Sequence, residues 1–185
     1  DELLAKIRTN GTKIGLIPTM GSIHDGHLSL VENSIKENFF SITSIFVNPT
    51  QFNDLKDFKK YPQNKKQDIE KLNTVKCDAV FFPQIEELYP EGIKRKKTIS
   101  KYRDILCDKF RPGHFDGVTT VVKSLFDIVT PDAVFFGEKD FQQLKIIKEL
   151  IKKNNLPIQL IDCPSVRSKN GMSLSSRYNN FNTNQ

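Results

Sequence analysis

Residues 12–27 read TKIGLIPTMGSIHDGH, and the order of residue types in this run decides the fold. Residues 12–18 are a short apolar stretch between Gly11 and a turn that contains Gly21. A brief apolar run with glycine at its borders predicts a buried strand. Beyond the turn, Leu28, Val31 and Ile35 recur on one helical face, which predicts a helix over about 27–38.

The alternation continues along the chain. Residues 41–47 (SITSIFV) read as a second buried strand, ended by Asn48-Pro49, and 65–73 as a helix. Residues 79–82 read as a strand closed by Pro83. The stretch 85–110 is less regular, with a helix expected near 102–110. The clearest helix is 118–129, where Val118, Val121, Val122, Leu125, Ile128 and Val129 repeat at helical spacing until Pro131 stops it. Then come a strand at 133–136, a helix at 141–154 and a strand at 158–162. Apolar strands alternating with helices imply a parallel sheet covered on both faces. The predicted fold class is therefore α/β: a doubly wound, Rossmann-like parallel sheet, with ligands at the carboxyl ends of its strands. The segments richest in polar groups, 19–27, 48–52, 137–143 and 166–177, each follow a strand.

Composition narrows the function classes. With 37% hydrophobic and 27% charged residues in 185, the chain has the balance of a folded globular protein. No apolar run is long enough for a membrane span, and the N-terminus lacks the basic-then-apolar order of a signal peptide. Cys77, Cys107 and Cys163 are scattered, which argues against a disulfide framework or a zinc knuckle and suits a reducing cytoplasm. The net charge of +6 suits an anionic ligand or nucleic acid. The basic runs lack interleaved aromatics and there is no Trp, which disfavours a nucleic-acid-binding module.

Four clusters carry chemistry. In the first, Met20-Gly21-Ser22-Ile23-His24-Asp25-Gly26-His27, two imidazoles three residues apart stand at a helix start, where free N–H groups and the helix dipole favour phosphate. The same spacing also suits a metal pair or two ordinary surface histidines, although neither accounts for the glycines. In the second, Gln51 suits a plain loop glutamine or, aimed into the crevice by Pro49 at the strand's end, an amide that meets a carboxylate and a hydroxyl. In the third, Lys139 offers a point charge to phosphate, Asp140 can accept from ribose or cap the next helix, and Gln143 lies one turn on. In the fourth, Ser175, Ser176 and Arg177 suit either a loop that wraps terminal phosphates or a polar, flexible tail. Arg111 and His114, ahead of the clearest helix, suit either a substrate contact or a structural turn.

Taken in order, the stretches 17–27, 46–52, 111–122, 137–144 and 166–177 closely resemble the pantothenate synthetase family, with 78–83 and Tyr89-Pro90 in agreement. The resemblance implies ATP-dependent condensation of pantoate with β-alanine through a pantoyl-adenylate, with Mg2+ accompanying ATP. It implies phosphate contacts and transition-state stabilisation by His24, His27, Lys139, Ser175, Ser176 and Arg177. It further implies ATP contacts at Met20, ribose contacts at Gly137 and Asp140, an adenine contact at the Val166 backbone, and pantoate binding by Gln51 and Gln143. A cytoplasmic homodimer is expected. Residues 1–177 would form the nucleotide- and pantoate-binding domain, with 178–185 the start of a C-terminal lid domain. The His-x-Gly-His pattern is also similar to a class I aminoacyl-tRNA synthetase signature, read here as shared adenylate-forming machinery. Another small-molecule adenylyltransferase is the alternative that the Gln51 and Gln143 pair disfavours.

Overall fold

The strand of 12–18 lies at the centre of the molecule as β1 (Ile14–Thr19). The structure is a computed structural model that describes residues 2–9, 11–97 and 99–176. Four more strands, β2 (Phe40–Ile45), β3 (Ala79–Phe81), β4 (Ala133–Gly137) and β5 (Gln159–Cys163), join β1 in one parallel sheet of order β3-β2-β1-β4-β5. Successive residues of a strand face opposite sides. Ile14 and Leu16 accordingly enter one apolar cluster and Ile17 another. The first cluster is closed by α1 (Glu2–Thr9), α7 (His114–Val129) and α8 (Phe141–Lys153). The second is closed by α2 (Asp25–Lys36) and α4 (Lys65–Thr74). Both faces of the sheet are thus covered. Gly15 is required on the α2 side, because a Cβ there would fall 2.9 Å from both Phe39 and Phe135.

The sheet order creates the crevice. β1 pairs with β2 along its whole length, from Ile14–Phe40 to Thr19–Ile45. It pairs with β4 at Gly15–Ala133 and Leu16–Val134, where that ladder stops. The carboxyl ends of β1 and β4 diverge beyond this point, and the crossovers on either side leave in opposite directions. This is the topological switch point at which doubly wound sheets take ligands.

Several elements depart from expectation for identifiable reasons. α2 starts at Asp25 rather than His27, because His24 serves as its N-cap. The helix expected near 102–110 contracts to α6 (Leu106–Phe110), since Tyr102, Asp104 and Leu106 have φ of 60°, 60° and 48°. Arg103 holds that irregular segment by pairing with Asp108 at 3.0 Å and Asp116 at 2.7 Å. α7 begins at His114, a turn ahead of its apolar repeat. The short helices α1, α3 (Leu55–Lys60) and α5 (Ile85–Leu88) are additions to the sequence-based outline. Arg177 and the segment 178–185 lie outside the described residues. No helix among the described residues is long and apolar enough to cross a membrane.

Candidate functional site

The turn after β1 is built to present two imidazoles. Gly21 and Ser22 take φ of 81° and 52°, a left-handed pair that reverses the chain within a few residues. His24 then caps α2. Its Nδ1 accepts from the Gly26 N–H at 3.1 Å, while the His24 N–H donates to His27 Nδ1 at 3.4 Å. The rings stack at 4.0 Å between centroids. An imidazole whose Nδ1 accepts carries its proton on Nε2 when neutral. Burial, followed by the nearby Lys139, lowers the His24 pKa below its usual 6.5. Burial, and then the neighbouring His24, Lys139 and Lys71, pushes His27 down to about 3. Both rings are therefore neutral Nε2–H donors near neutral pH. The free helix-terminal N–H groups expected from the sequence are partly occupied, because the Gly26 N–H is capped and the His27 N–H donates to the His24 carbonyl at 2.7 Å. The imidazoles are what this helix end offers a phosphate.

Gln51 reaches the crevice from the one-turn 3-10 segment Pro49–Gln51, with Asn48 as its cap. Asn48 is fully buried and donates from Nδ2 to Gln51 Oε1 at 3.0 Å and to the Gly117 carbonyl at 3.2 Å. The Tyr89 hydroxyl donates to Asn48 Oδ1 at 2.5 Å. With Oε1 accepting from Asn48, the N–H groups are what the Gln51 amide has to offer a ligand in the crevice. The Gln51 carbonyl accepts from His114 Nδ1 at 2.8 Å and from Arg111 Nη2 at 3.2 Å, and Arg111 Nη1 lies 3.1 Å from His114 Nε2. Arg111 and His114 both line the crevice and both brace Gln51, so each of the two roles left open by the sequence has a geometric basis.

The opposite wall comes from the end of β4 and from the chain after β5. Lys139 and Asp140 sit on a one-turn 3-10 segment with their charges 3.9 Å apart. Asp140 occupies the N-cap position of α8 but makes no side-chain cap bond, and its side chain is 64% exposed. Gln143 faces the crevice. Gln142 turns away, accepting from the Cys107 N–H and donating to the Tyr102 and Ile105 carbonyls. Arg167 and Ser173 form a bridge that folds 164–176 back toward the site, and Ser176 Oγ donates to the Ser22 carbonyl at 3.2 Å.

One crevice of about 430 Å3 is lined by Met20, His24, His27 and Gln51 from one side and by Gly137, Lys139, Asp140, Gln143, Val166, Ser175 and Ser176 from the other. Its floor is apolar, with Val118, Val121 and Leu125 of α7. Sequence reasoning passed over Asp68 and Lys71 of α4, which hold the turn after β1 from behind. It also passed over Tyr61, which lines the crevice.

The chain spans 62% of the length of the pantothenate synthetase of Caldicellulosiruptor bescii, to which it is 46% identical over 176 residues, or 95% of its own length. A pantoate-β-alanine ligase from Francisella tularensis, solved with β,γ-ATP and β-alanine, superposes with a TM-score of 0.91 at 41% identity, covering 98% of this chain and 71% of that one. The pantothenate synthetase of Thermus thermophilus superposes at 0.88 with 38% identity, covering 98% and 67%. The sequence profile of the pantoate-β-alanine ligase family matches residues 1–185, and by that match this chain belongs to the family.

Proposed function

We propose that this chain supplies the ATP- and pantoate-binding part of an enzyme that condenses pantoate with β-alanine, releasing AMP and pyrophosphate. The observation that carries the reading is the meeting, in one crevice, of the His24/His27 pair and Lys139 with the two amides Gln51 and Gln143. The Francisella relative, crystallised with β,γ-ATP and β-alanine, supports the same substrate classes.

On this reading the pantoate carboxylate attacks the α-phosphorus of ATP and pyrophosphate leaves. The amine of β-alanine then attacks the acyl carbon of the pantoyl-adenylate and AMP leaves. The nucleophiles belong to the substrates, so the protein aligns them and neutralises charge. Gln51 and Gln143 hold pantoate. His24 and His27 donate through Nε2–H to the phosphates, and Lys139 adds a full positive charge. Ser175, Ser176 and Arg177 close on the terminal phosphates, while Met20, Gly137, Asp140 and the Val166 backbone receive the nucleoside. The apolar floor shields the mixed anhydride from water. Magnesium enters as the ATP complex, carried by the phosphates. Residues 1–177 act as this binding unit. A homodimer and a cytoplasmic setting complete the reading.

The test is calorimetric titration of Mg-ATP and of D-pantoate, with His24→Ala and Gln51→Ala as controls. The expected result is that both ligands bind, that His24→Ala weakens ATP and that Gln51→Ala weakens only pantoate. ATP binding without pantoate binding would sink the named substrate and favour another adenylyltransferase.

A further inference from the structure

We infer that Asp68 is a positioning residue for the phosphate half of the site, acting through the turn after β1 without touching ligand. This inference rests on the ATP-binding reading above. The Ser22 and Ile23 N–H groups point into one concavity, with Gly21 and Ser22 both left-handed. Successive N–H groups arranged in this way form a nest that attracts an anion. Here the anion is internal. The Asp68 carboxylate accepts from the Ser22 N–H at 3.0 Å through Oδ2 and from the Ile23 N–H at 2.7 Å through Oδ1. Asp68 is 2% exposed, so no solvent competes for those bonds. One helical turn on, Lys71 Nζ donates to the Ile23 carbonyl at 2.6 Å. α4 thereby grips both polar sides of the same peptide segment.

Three consequences follow for the site. The turn cannot cradle phosphate with its N–H groups, as a glycine-rich phosphate loop does, because Thr19 Oγ1 takes that of Gly21 and Asp68 those of Ser22 and Ile23. Phosphate is left to the imidazoles, to Lys139 and to the serines. Next, His24 directly follows the pinned Ile23, so the entry angle of the α2 cap is set by Asp68. Finally, the Ser22 carbonyl, in the same peptide unit as the pinned Ile23 N–H, accepts from Ser176 Oγ, so the same turn seats the segment that arrives from the far wall. Asp68 therefore fixes the imidazole pair and, through Ser22, the seat of Ser176. Gly21 is part of the same device, since a Cβ there would lie 2.9 Å from Asp68 Oδ2.

The decisive experiment compares Asp68→Asn, Lys71→Met and Gly21→Ala by calorimetry with Mg-ATP and with D-pantoate, alongside thermal unfolding. An amide in place of the carboxylate sets its NH2 against one backbone N–H and loosens the turn. Asp68→Asn is expected to weaken ATP at least tenfold and to leave pantoate within twofold. Lys71→Met, at a partly exposed position that keeps the fold if Asp68→Asn does not, is expected to weaken ATP about three- to tenfold with pantoate unchanged. Equal weakening of both ligands would mark Asp68 and Lys71 as purely structural and overturn the inference, as would unchanged ATP affinity. Failure of the unsubstituted chain to bind ATP would overturn the functional reading and this inference with it. ATP binding by the unsubstituted chain that the variants leave intact would overturn this inference alone.

Discussion

The two walls of the crevice are built on different principles. The wall from β1 and β2 is fixed by buried partners: Asp68 holds the Gly21–Ile23 turn, His24 and His27 cap each other, and fully buried Asn48 orients Gln51. The wall from β4 and β5 presents charge to solvent, with the side chains of Lys139 and Asp140 37% and 64% exposed. A wall of satisfied, buried groups keeps its shape with or without ligand, whereas exposed charges take their geometry from what they bind. On the proposed reading, the fixed wall holds pantoate through Gln51 and offers two neutral donors to phosphate, and the exposed wall adds the full charge of Lys139.

The sharpest way to break this contrast is a substitution on the fixed wall. A Cβ on Gly117 would lie 2.6 Å from the Thr50 carbonyl carbon, in backbone that cannot step aside. Gly117→Ala is expected to cost about 3 kcal/mol in a denaturant melt and to weaken pantoate more than tenfold by displacing Gln51. Unchanged stability and binding would show that this wall is as adaptable as the other.

Acid provides the next test. The folded His27 titrates near 3, below its ordinary 6.5, so between these values the unfolded chain binds a proton that the folded chain does not. Stability from this group is complete above about pH 6.5 and is lost as pH falls toward 3, at up to ~1.4 kcal/mol per unit. Urea melts from pH 7 to 4, with an NMR titration of the His27 ring, check it. A ring midpoint near 6.5 would refute the desolvation of His27 and remove this loss of stability in acid.

On the exposed wall the effects shift from stability to binding. Lys139→Ala is expected to weaken ATP about tenfold while unfolding free energy stays within ~0.5 kcal/mol. The smallest effect belongs to Gly137→Ala, where nothing lies within 4 Å of an added Cβ. Its stability is expected to stay within ~0.5 kcal/mol, and a larger loss in a denaturant melt would mean that this wall is more tightly packed than its open geometry implies.

The same contrast explains what could be read from the sequence. β1, β2, β4, α7 and α8 were legible because burial on one or both faces writes a period into the apolar residues. The crevice residues were legible because each follows a strand of a parallel sheet. α3 was not, since its six residues bury nothing. The bracing of Gln51 was hidden because its carbonyl is held by Arg111 and His114, which meet it only through the fold. Asp68 was hidden as well, although a trace existed. It sits four residues before Leu72, and both are buried on one face of α4, so an acidic residue occupied an apolar helical stripe.

The divergence of β1 from β4 also sets a timetable. β1 and β2 leave the ribosome early, while β4, with Lys139 just beyond it, follows on the order of ten seconds later. During that interval the central strand β1 lacks its neighbour on one edge. An unpaired edge of a buried, apolar strand invites pairing with other chains. Docking of β4 at Gly15 and Leu16 is thus both the act that forms the crevice and the act that covers the open edge of β1.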